Sequence, residues 1–107
     1  MNDITIQNIL DIGNTALTDA KMIPLTKGYV TIVDVSDYDW LMQWKWQISP
    51  GNRDYLYAAR AIKIPKTRRC RSERMHRLIL NAPDKVFVDH INGDGLDNRR
   101  CNLRLCS

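Results

Sequence analysis

The sequence predicts an α+β domain in which a small antiparallel sheet is accompanied by short helices. Runs rich in β-branched and aromatic residues, or alternating between apolar and polar residues, are separated by turn signals, a pattern typical of strands. Between these runs, one segment begins with a helix-start signal and another places apolar residues three and four positions apart. A chain of 107 residues has room for one domain with a modest core.

The N-terminal lead-in, residues 1–22, receives no structural assignment. Its first 20 residues carry Asp3, Asp11 and Asp19 and no basic residue, which argues against contact with nucleic acid. Three interpretations stay open for it: an adaptor, a poorly ordered lead-in or a part of the core.

The region of residues 23–83 is expected to be rich in β-structure. Ser36 is predicted to cap a short helix, because acidic residues follow it in the first turn. Trp44 and Trp46 are interpreted as core aromatics rather than as a base-stacking platform, since nothing else in so small a domain could supply its large apolar volume. The predicted strands of this region are 29–35, 44–48 and 55–64.

The segment 60–77 carries the whole basic surplus of the chain. It holds eight basic residues against Glu73 alone, a net charge of +7, whereas the chain as a whole carries +4. A one-signed, arginine-rich run is interpreted as a phosphate-binding strip, with an ordinary solvated face as the alternative. The predicted DNA contacts in this segment are Arg60, Lys63, Lys66, Arg68, Arg69, Arg71, Arg74, His76 and Arg77.

The same segment is expected to contain a loop and then a helix. The charge density of residues 65–71 is incompatible with burial, so they are predicted to form a loop or hairpin tip. Ser72 is predicted to cap the helix that follows, which the turn signals at 81–83 end. Met75, Leu78 and Ile79 would form the buried stripe of this helix, with His76 and Arg77 off that stripe.

The last region, residues 84–107, is predicted to be a hairpin that carries reactive side chains. A short apolar run leads to Asp89 and His90, a hard oxygen ligand and a group that accepts a proton near neutral pH, as metal-assisted hydrolysis requires. Neighbours on a strand face opposite sides, so the two could share a site only if the strand ends there, and the turn signals from Asn92 onward indicate that it does. The alternative is that Asp89 caps a turn and His90 lies on the surface.

Residues 89–104 read D-H-I-N-G-D-G-L-D-N-R-R-C-N-L-R, and this run resembles the HNH homing-type endonucleases of phages and mobile elements. Their active site is a ββα-metal fold. The resemblance extends over residues 23–107, because the predicted strands and the M-H-R-L-I helix look like the region that precedes the motif in that family. It implies a metal-dependent endonuclease that acts on double-stranded DNA in the cytoplasm.

The resemblance also implies roles for individual residues. His90 matches the general base, Asp89 matches the ligand of a single divalent cation, and Asn102 matches the asparagine that holds the loop and so aims the histidine. The implied cation is Mg²⁺, with Mn²⁺ as the alternative, and zinc is not expected. Expected loop-structural residues are Asn92, Gly93, Asp97 and Asn98. Expected phosphate contacts are Arg99, Arg100 and Arg104.

The sequence departs from the family pattern at Ser107, where the helix that supplies the last metal ligand should begin. The ββα-metal hairpin is therefore expected to lack its final helix. Three explanations stay open: a truncated product, a ligand from a second chain, or a metal held by Asp89, water and DNA. A DNA-binding remnant without turnover is the main alternative function, and a zinc-stabilised interaction domain is a weaker one.

Cysteine usage and hydropathy bear on the compartment. The three cysteines are odd in number and unevenly spaced, which favours free thiols in a reducing environment. No apolar run approaches the length of a membrane span and no export signal is recognisable, so a cytoplasmic, non-secreted protein without membrane contact is expected. The oligomeric state stays open.

Overall fold

A computed structural model of the chain describes residues 19–106. The elements, in chain order, are β1 (Ala20–Pro24), a 3₁₀ turn (Thr26–Gly28), β2 (Val30–Asp34), α1 (Val35–Leu41), β3 (Gln47–Pro50), β4 (Leu56–Lys63), β5 (Cys70–Arg74), α2 (Met75–Ile79), β6 (Phe87–His90), a second 3₁₀ turn (Arg100–Asn102) and β7 (Leu103–Cys106). The α+β class is therefore confirmed.

The strands form three separate antiparallel sheets, whereas one small sheet leading into a hairpin was expected. Two of them are the pairs β1–β2 and β6–β7, and the third has the order β3–β4–β5. The β6–β7 hairpin is tied to β2 by backbone hydrogen bonds: the Ile32 amide donates to the Leu96 carbonyl (2.9 Å), and the Asn98 amide donates to the Ile32 carbonyl (2.8 Å). Residues 23–83 thus support the hairpin loop directly.

The core lies between the sheets and the two helices. Trp46 is 4% exposed and donates its indole N–H to the Leu41 carbonyl at 2.8 Å. Trp40, Trp44 and Trp46 meet edge to face, an arrangement that favours aromatic packing beyond the area it buries. The interpretation of Trp44 and Trp46 as core aromatics is confirmed. The buried residues of the core cluster are Ile23, Val33, Leu41, Trp46, Ala58, Met75, Ile79 and Leu103.

Both helix starts differ from prediction. Asp34, not Ser36, is the N-cap residue of α1, and Ser36 lies inside the helix. Ser72 does not cap α2, because it lies on β5 and pairs with Ala61 on β4. In both places a strand runs without a break into a helix. Neither serine lies at the junction itself, because Ser36 is inside the helix and Ser72 is on the strand.

Strand bounds differ from prediction at three places. β5 includes residues that were expected to be loop, because an exposed strand satisfies its backbone through β4 whatever its side-chain charge. The strand predicted for 44–48 begins only at Gln47. β1 crosses the expected boundary between residues 22 and 23, while the assignment of residues 1–18 lies outside the described residues.

Two further observations concern the cysteines and the length and hydropathy of the helices. Cys70, Cys101 and Cys106 are free thiols, as expected. Between residues 19 and 106, no helix is both long enough and apolar enough to cross a membrane.

Candidate active site

His90 is the last residue of β6 and is 4% exposed. Its Nε2 lies 2.9 Å from Oδ1 of Asn98. The Asn98 amide nitrogen donates to the Thr31 hydroxyl at 2.8 Å, so Oδ1 is the acceptor and Nε2 of His90 carries the hydrogen. The neutral ring then keeps its lone pair on Nδ1, the nitrogen that is able to take a proton.

Asn102 holds the loop that follows β6. Its amide nitrogen donates to Oδ1 of Asn92 (3.0 Å) and to the Asp97 carbonyl (2.9 Å), while its Oδ1 accepts from the Asn92 backbone N–H (3.0 Å). The Asn92 amide in turn donates to Asp97 (2.9 Å). Gly93 has a φ of +79°, which favours glycine. All four residues expected to be loop-structural lie in the connection between β6 and β7, but Asn98 rather than Asn102 contacts the histidine.

Two of the predicted phosphate contacts in this hairpin are engaged with buried carboxylates. Arg99 makes a bidentate pair with Asp97 at 2.8 and 2.7 Å, and Arg100 makes one with Asp37 at 2.9 and 3.0 Å. Hydrogen bonds from Arg99 lower the pKa of Asp97. Burial raises the pKa of Asp37, but hydrogen bonds from Arg100 and Trp40 outweigh it and hold that pKa below its ordinary value. These pairs tie the loop down and engage one edge of each guanidinium, while half of the Arg100 side chain stays exposed.

Asp89 lies opposite Arg104 in the β6–β7 ladder. The guanidinium donates to Oδ2 of Asp89 at 2.9 and 3.2 Å, and the carboxylate side chain is 46% exposed. Oδ1 is not used by this pair. No cluster of three or more His, Cys, Asp or Glu ligands occurs in residues 19–106. Since Mg²⁺ commonly binds through one or two carboxylates and completes its shell with water and substrate phosphates, a single exposed carboxylate fits it.

A second histidine lies against His90. His76 is 5% exposed, so the prediction that it lies off the buried stripe of α2 is wrong. Its ring centroid is 4.8 Å from that of His90, and it stacks on Tyr57 at 5.2 Å with an interplanar angle of 16°. Burial, followed by the charges of His90, Arg74 and Arg77, lowers the pKa of His76 to about 3. Its ring is therefore neutral at physiological pH.

Tyr57 of β4 and Tyr55, which directly precedes that strand, also lie beside His90. The Tyr55 and Tyr57 rings lie 6.0 and 6.1 Å from the ring of His90. Burial raises the pKa of Tyr55, and the charges of Tyr57, Asp89 and Asp94 add to that effect. The rings of Tyr55, Tyr57 and His76 therefore all lie against that of His90.

Gly95 lets the hairpin loop approach β4 this closely. A Cβ at this position would overlap the Leu56 carbonyl oxygen and the edge of the Tyr55 ring. A side chain there would push the loop, and His90 with it, away from the two tyrosines. Neither Gly95 nor the tyrosines were singled out from the sequence, because only the chain's tertiary packing brings them to His90.

The basic segment 60–77 divides into engaged and free side chains. Arg60 pairs with Glu73 at 2.7 Å and lies over Trp44, Arg74 lies over Tyr57, and Arg77 donates to two backbone carbonyls of the loop before β6. The remaining cations are exposed at the end of the β4–β5 hairpin and form no ion pair within residues 19–106. We call them the basic arm: Lys63, Lys66, Arg68, Arg69 and Arg71.

Of three comparisons with known proteins, one gives a match, and it covers the hairpin that carries His90. No curated protein and no solved structure shows significant similarity to the chain. Residues 81–107, about a quarter of the chain, match the family model described as HNH endonuclease. The matched segment contains Asp89, His90, Asn98 and Asn102. The match supports an HNH family for this segment and indicates a nuclease of the HNH type, a class that acts on DNA.

Proposed function

We propose that the protein is a metal-dependent endonuclease that hydrolyses a phosphodiester bond of double-stranded DNA, with His90 as general base. The observation that carries this proposal is the hydrogen bond from His90 to Asn98 at 2.9 Å, inside the segment that matches the HNH endonucleases. A histidine whose Nε2–H is tied to an amide oxygen presents a basic Nδ1 in a fixed orientation, as a general base needs.

The proposed reaction is a simple hydrolysis. The oxygen of a water molecule forms a bond to phosphorus while its proton passes to Nδ1 of His90. The bond from phosphorus to the leaving oxygen of the sugar breaks, and that oxygen takes a proton from solvent. His90 then returns its proton to solvent, so the net change is the addition of one water.

Asp89 is the residue proposed to ligate the divalent cation, Mg²⁺ or Mn²⁺. When bound, this ion would offset negative charge on the phosphate and the leaving oxygen. Asp89 directly precedes His90, and β6 ends at His90, which supports the two residues serving one phosphate. Arg104 competes with the cation for the carboxylate and would have to share it.

The basic arm is proposed to hold the DNA backbone. Its exposed cations carry the unpaired positive charge of the segment, and sequence-independent affinity for DNA comes chiefly from such contacts to phosphates. The hydrogen bonds of Asn102 are proposed to hold the loop in place, so that His90 keeps its position when DNA binds.

A plasmid-nicking assay in Mg²⁺ tests the proposal. His90→Ala should slow nicking about 10²- to 10⁴-fold, the usual contribution of a positioned general base, while its affinity for DNA stays unchanged. Addition of EDTA should abolish nicking by the wild type. Equal rates for His90→Ala and the wild type would contradict the assignment, and circular dichroism controls for folding.

A DNA-binding protein without turnover is the second candidate. It is favoured by the ion pair between Asp89 and Arg104, which occupies the proposed metal ligand. This candidate predicts salt-sensitive DNA binding with no nicking in Mg²⁺ or Mn²⁺. Nicking that depends on His90 would exclude it.

A further inference from the structure

The feature that the proposed mechanism leaves unused is the buried imidazole of His76. It is 5% exposed, and neither of its ring nitrogens forms a hydrogen bond to any residue between 19 and 106. A buried polar group without a partner costs about 1–3 kcal/mol. Buried polar groups nearly always have a partner, so one without any points to a missing partner such as a ligand.

The surroundings of His76 call for an aromatic ring but not for a nitrogen. The ring stacks on Tyr57, and its neighbour Met75 is fully buried in the core. A phenylalanine would make the same stack without the cost of an unpartnered nitrogen. What a phenylalanine could not do is form a hydrogen bond beside His90, 4.8 Å away between ring centroids.

We propose that His76 is a second catalytic residue, whose neutral ring donates an N–H to an oxygen of the phosphate that His90 attacks through water. This inference rests on the proposed nuclease function. A phosphate placed for chemistry at His90 would lie beside the adjacent ring, 4.8 Å away between centroids, and a donor there would stabilise the charge that develops on phosphorus oxygens.

The two histidines would then divide the work. Two imidazolium rings this close would repel each other, so only one of them is able to take the proton. Burial, together with His90, Arg74 and Arg77, lowers the pKa of His76, which makes it a poor proton acceptor and a stable neutral donor. The same three groups, with the Tyr57 ring, are those that face or flank it.

His76→Phe and His76→Asn test this role together. His76→Phe keeps the aromatic stack and removes both nitrogens, so it should be at least as stable to heat as the wild type but nick plasmid DNA about 10²-fold more slowly at saturating DNA. His76→Asn keeps an N–H donor and should lose less, about tenfold. A His76→Phe protein that nicks at the wild-type rate would overturn the inference, as would equal losses in two folded variants.

A second measurement separates this inference from the nuclease proposal. Imidazole ¹⁵N signals of His76 are recorded by NMR with and without a short duplex DNA, in EDTA so that no cleavage occurs. We expect the N–H signal of His76 to shift on addition of DNA, and the shift to be absent with a matched chloride increment. If the wild type binds DNA and the His76 signal shifts but no nicking is ever observed, the proposed nuclease activity is refuted and the contact between His76 and DNA is retained. Absence of a shift in DNA-bound protein would refute the contact alone.

Discussion

The basic arm and the β6–β7 hairpin are both rich in arginine, yet they use it in opposite ways. In the basic arm, Arg68, Arg69 and Arg71 are exposed and form no ion pair within the described residues. In the hairpin, Arg99, Arg100 and Arg104 each pair with a carboxylate. The arginine charges of the hairpin are therefore paired with carboxylates of the same chain, whereas those of the arm are free to contact phosphates.

The difference shows what arginine does where it is partnered. Asp37 and Asp97 are 3% and 6% exposed, so Arg100 and Arg99 neutralise carboxylates that would be costly to bury alone. The first pair joins the 3₁₀ turn before β7 to α1, and the second closes the loop after His90. Charge counted along the chain predicts DNA contacts in the arm, and the family resemblance implies them in the hairpin, but the ion pairs favour the arm.

The largest expected effect follows from neutralising the arm. Changing Arg68, Arg69 and Arg71 together to glutamine removes three exposed cations and should lower the slope of log affinity against log salt by about 3, because each phosphate contact contributes about one unit. DNA affinity near physiological salt should fall about 100-fold. Fluorescence anisotropy with a labelled duplex over a range of salt concentrations measures both.

The matched control removes three exposed lysines elsewhere: Lys21, Lys27 and Lys45. This triple glutamine variant has the same net charge as the arm variant, and its salt slope should change by less than half as much. Similar losses in the two variants would mean that overall charge, not the arm, attracts the DNA. Thermal unfolding should be nearly unchanged in both, since exposed cations contribute little to stability.

The paired region should respond in stability instead of affinity. Asp37→Asn leaves Arg100 facing an uncharged amide in a largely buried place, and should lower the free energy of unfolding by about 1–3 kcal/mol. Urea denaturation measures this change. Asp39→Asn, on the exposed side of the same helix, is the control and should change little. If Asp37→Asn lowered DNA affinity and left stability intact, the division between the two regions would be wrong.

The part of this site that sequence predicts is the part that is local in the chain. Asp89 and His90 at a strand end and the turn at Asn92–Gly93 follow from residues within one hairpin, and the resemblance of that same hairpin to a family implies the loop role of Asn102. The contact between His90 and Asn98 spans only eight residues, but which of two asparagines reaches the ring depends on the path of the loop.

The remainder of the site depends on tertiary contacts. Tyr57 comes from β4 and His76 from α2, and they meet His90 only because the hairpin loop packs on both β2 and β4. Helical periodicity predicted His76 to lie off the buried stripe. That prediction failed because a helix of five residues buries more than one face against its neighbours. The exposed strand β5 was missed for a related reason: charge predicts exposure, and exposure does not exclude a strand.

The smallest effect is expected at Arg104, which is paired with a carboxylate and is also exposed to solvent. This arginine is paired like the others of the hairpin, but the side chain of its partner Asp89 is 46% exposed and is the proposed metal ligand. Arg104→Gln releases Oδ2 of the carboxylate, so the Mg²⁺ concentration for half-maximal nicking should fall about threefold, because exposed ion pairs are weak and screened by salt. The nicking rate at saturating Mg²⁺ should stay the same. A higher requirement for Mg²⁺ in the variant would mean that Arg104 orients Asp89 for the cation, and its pairing would then be catalytic support rather than competition.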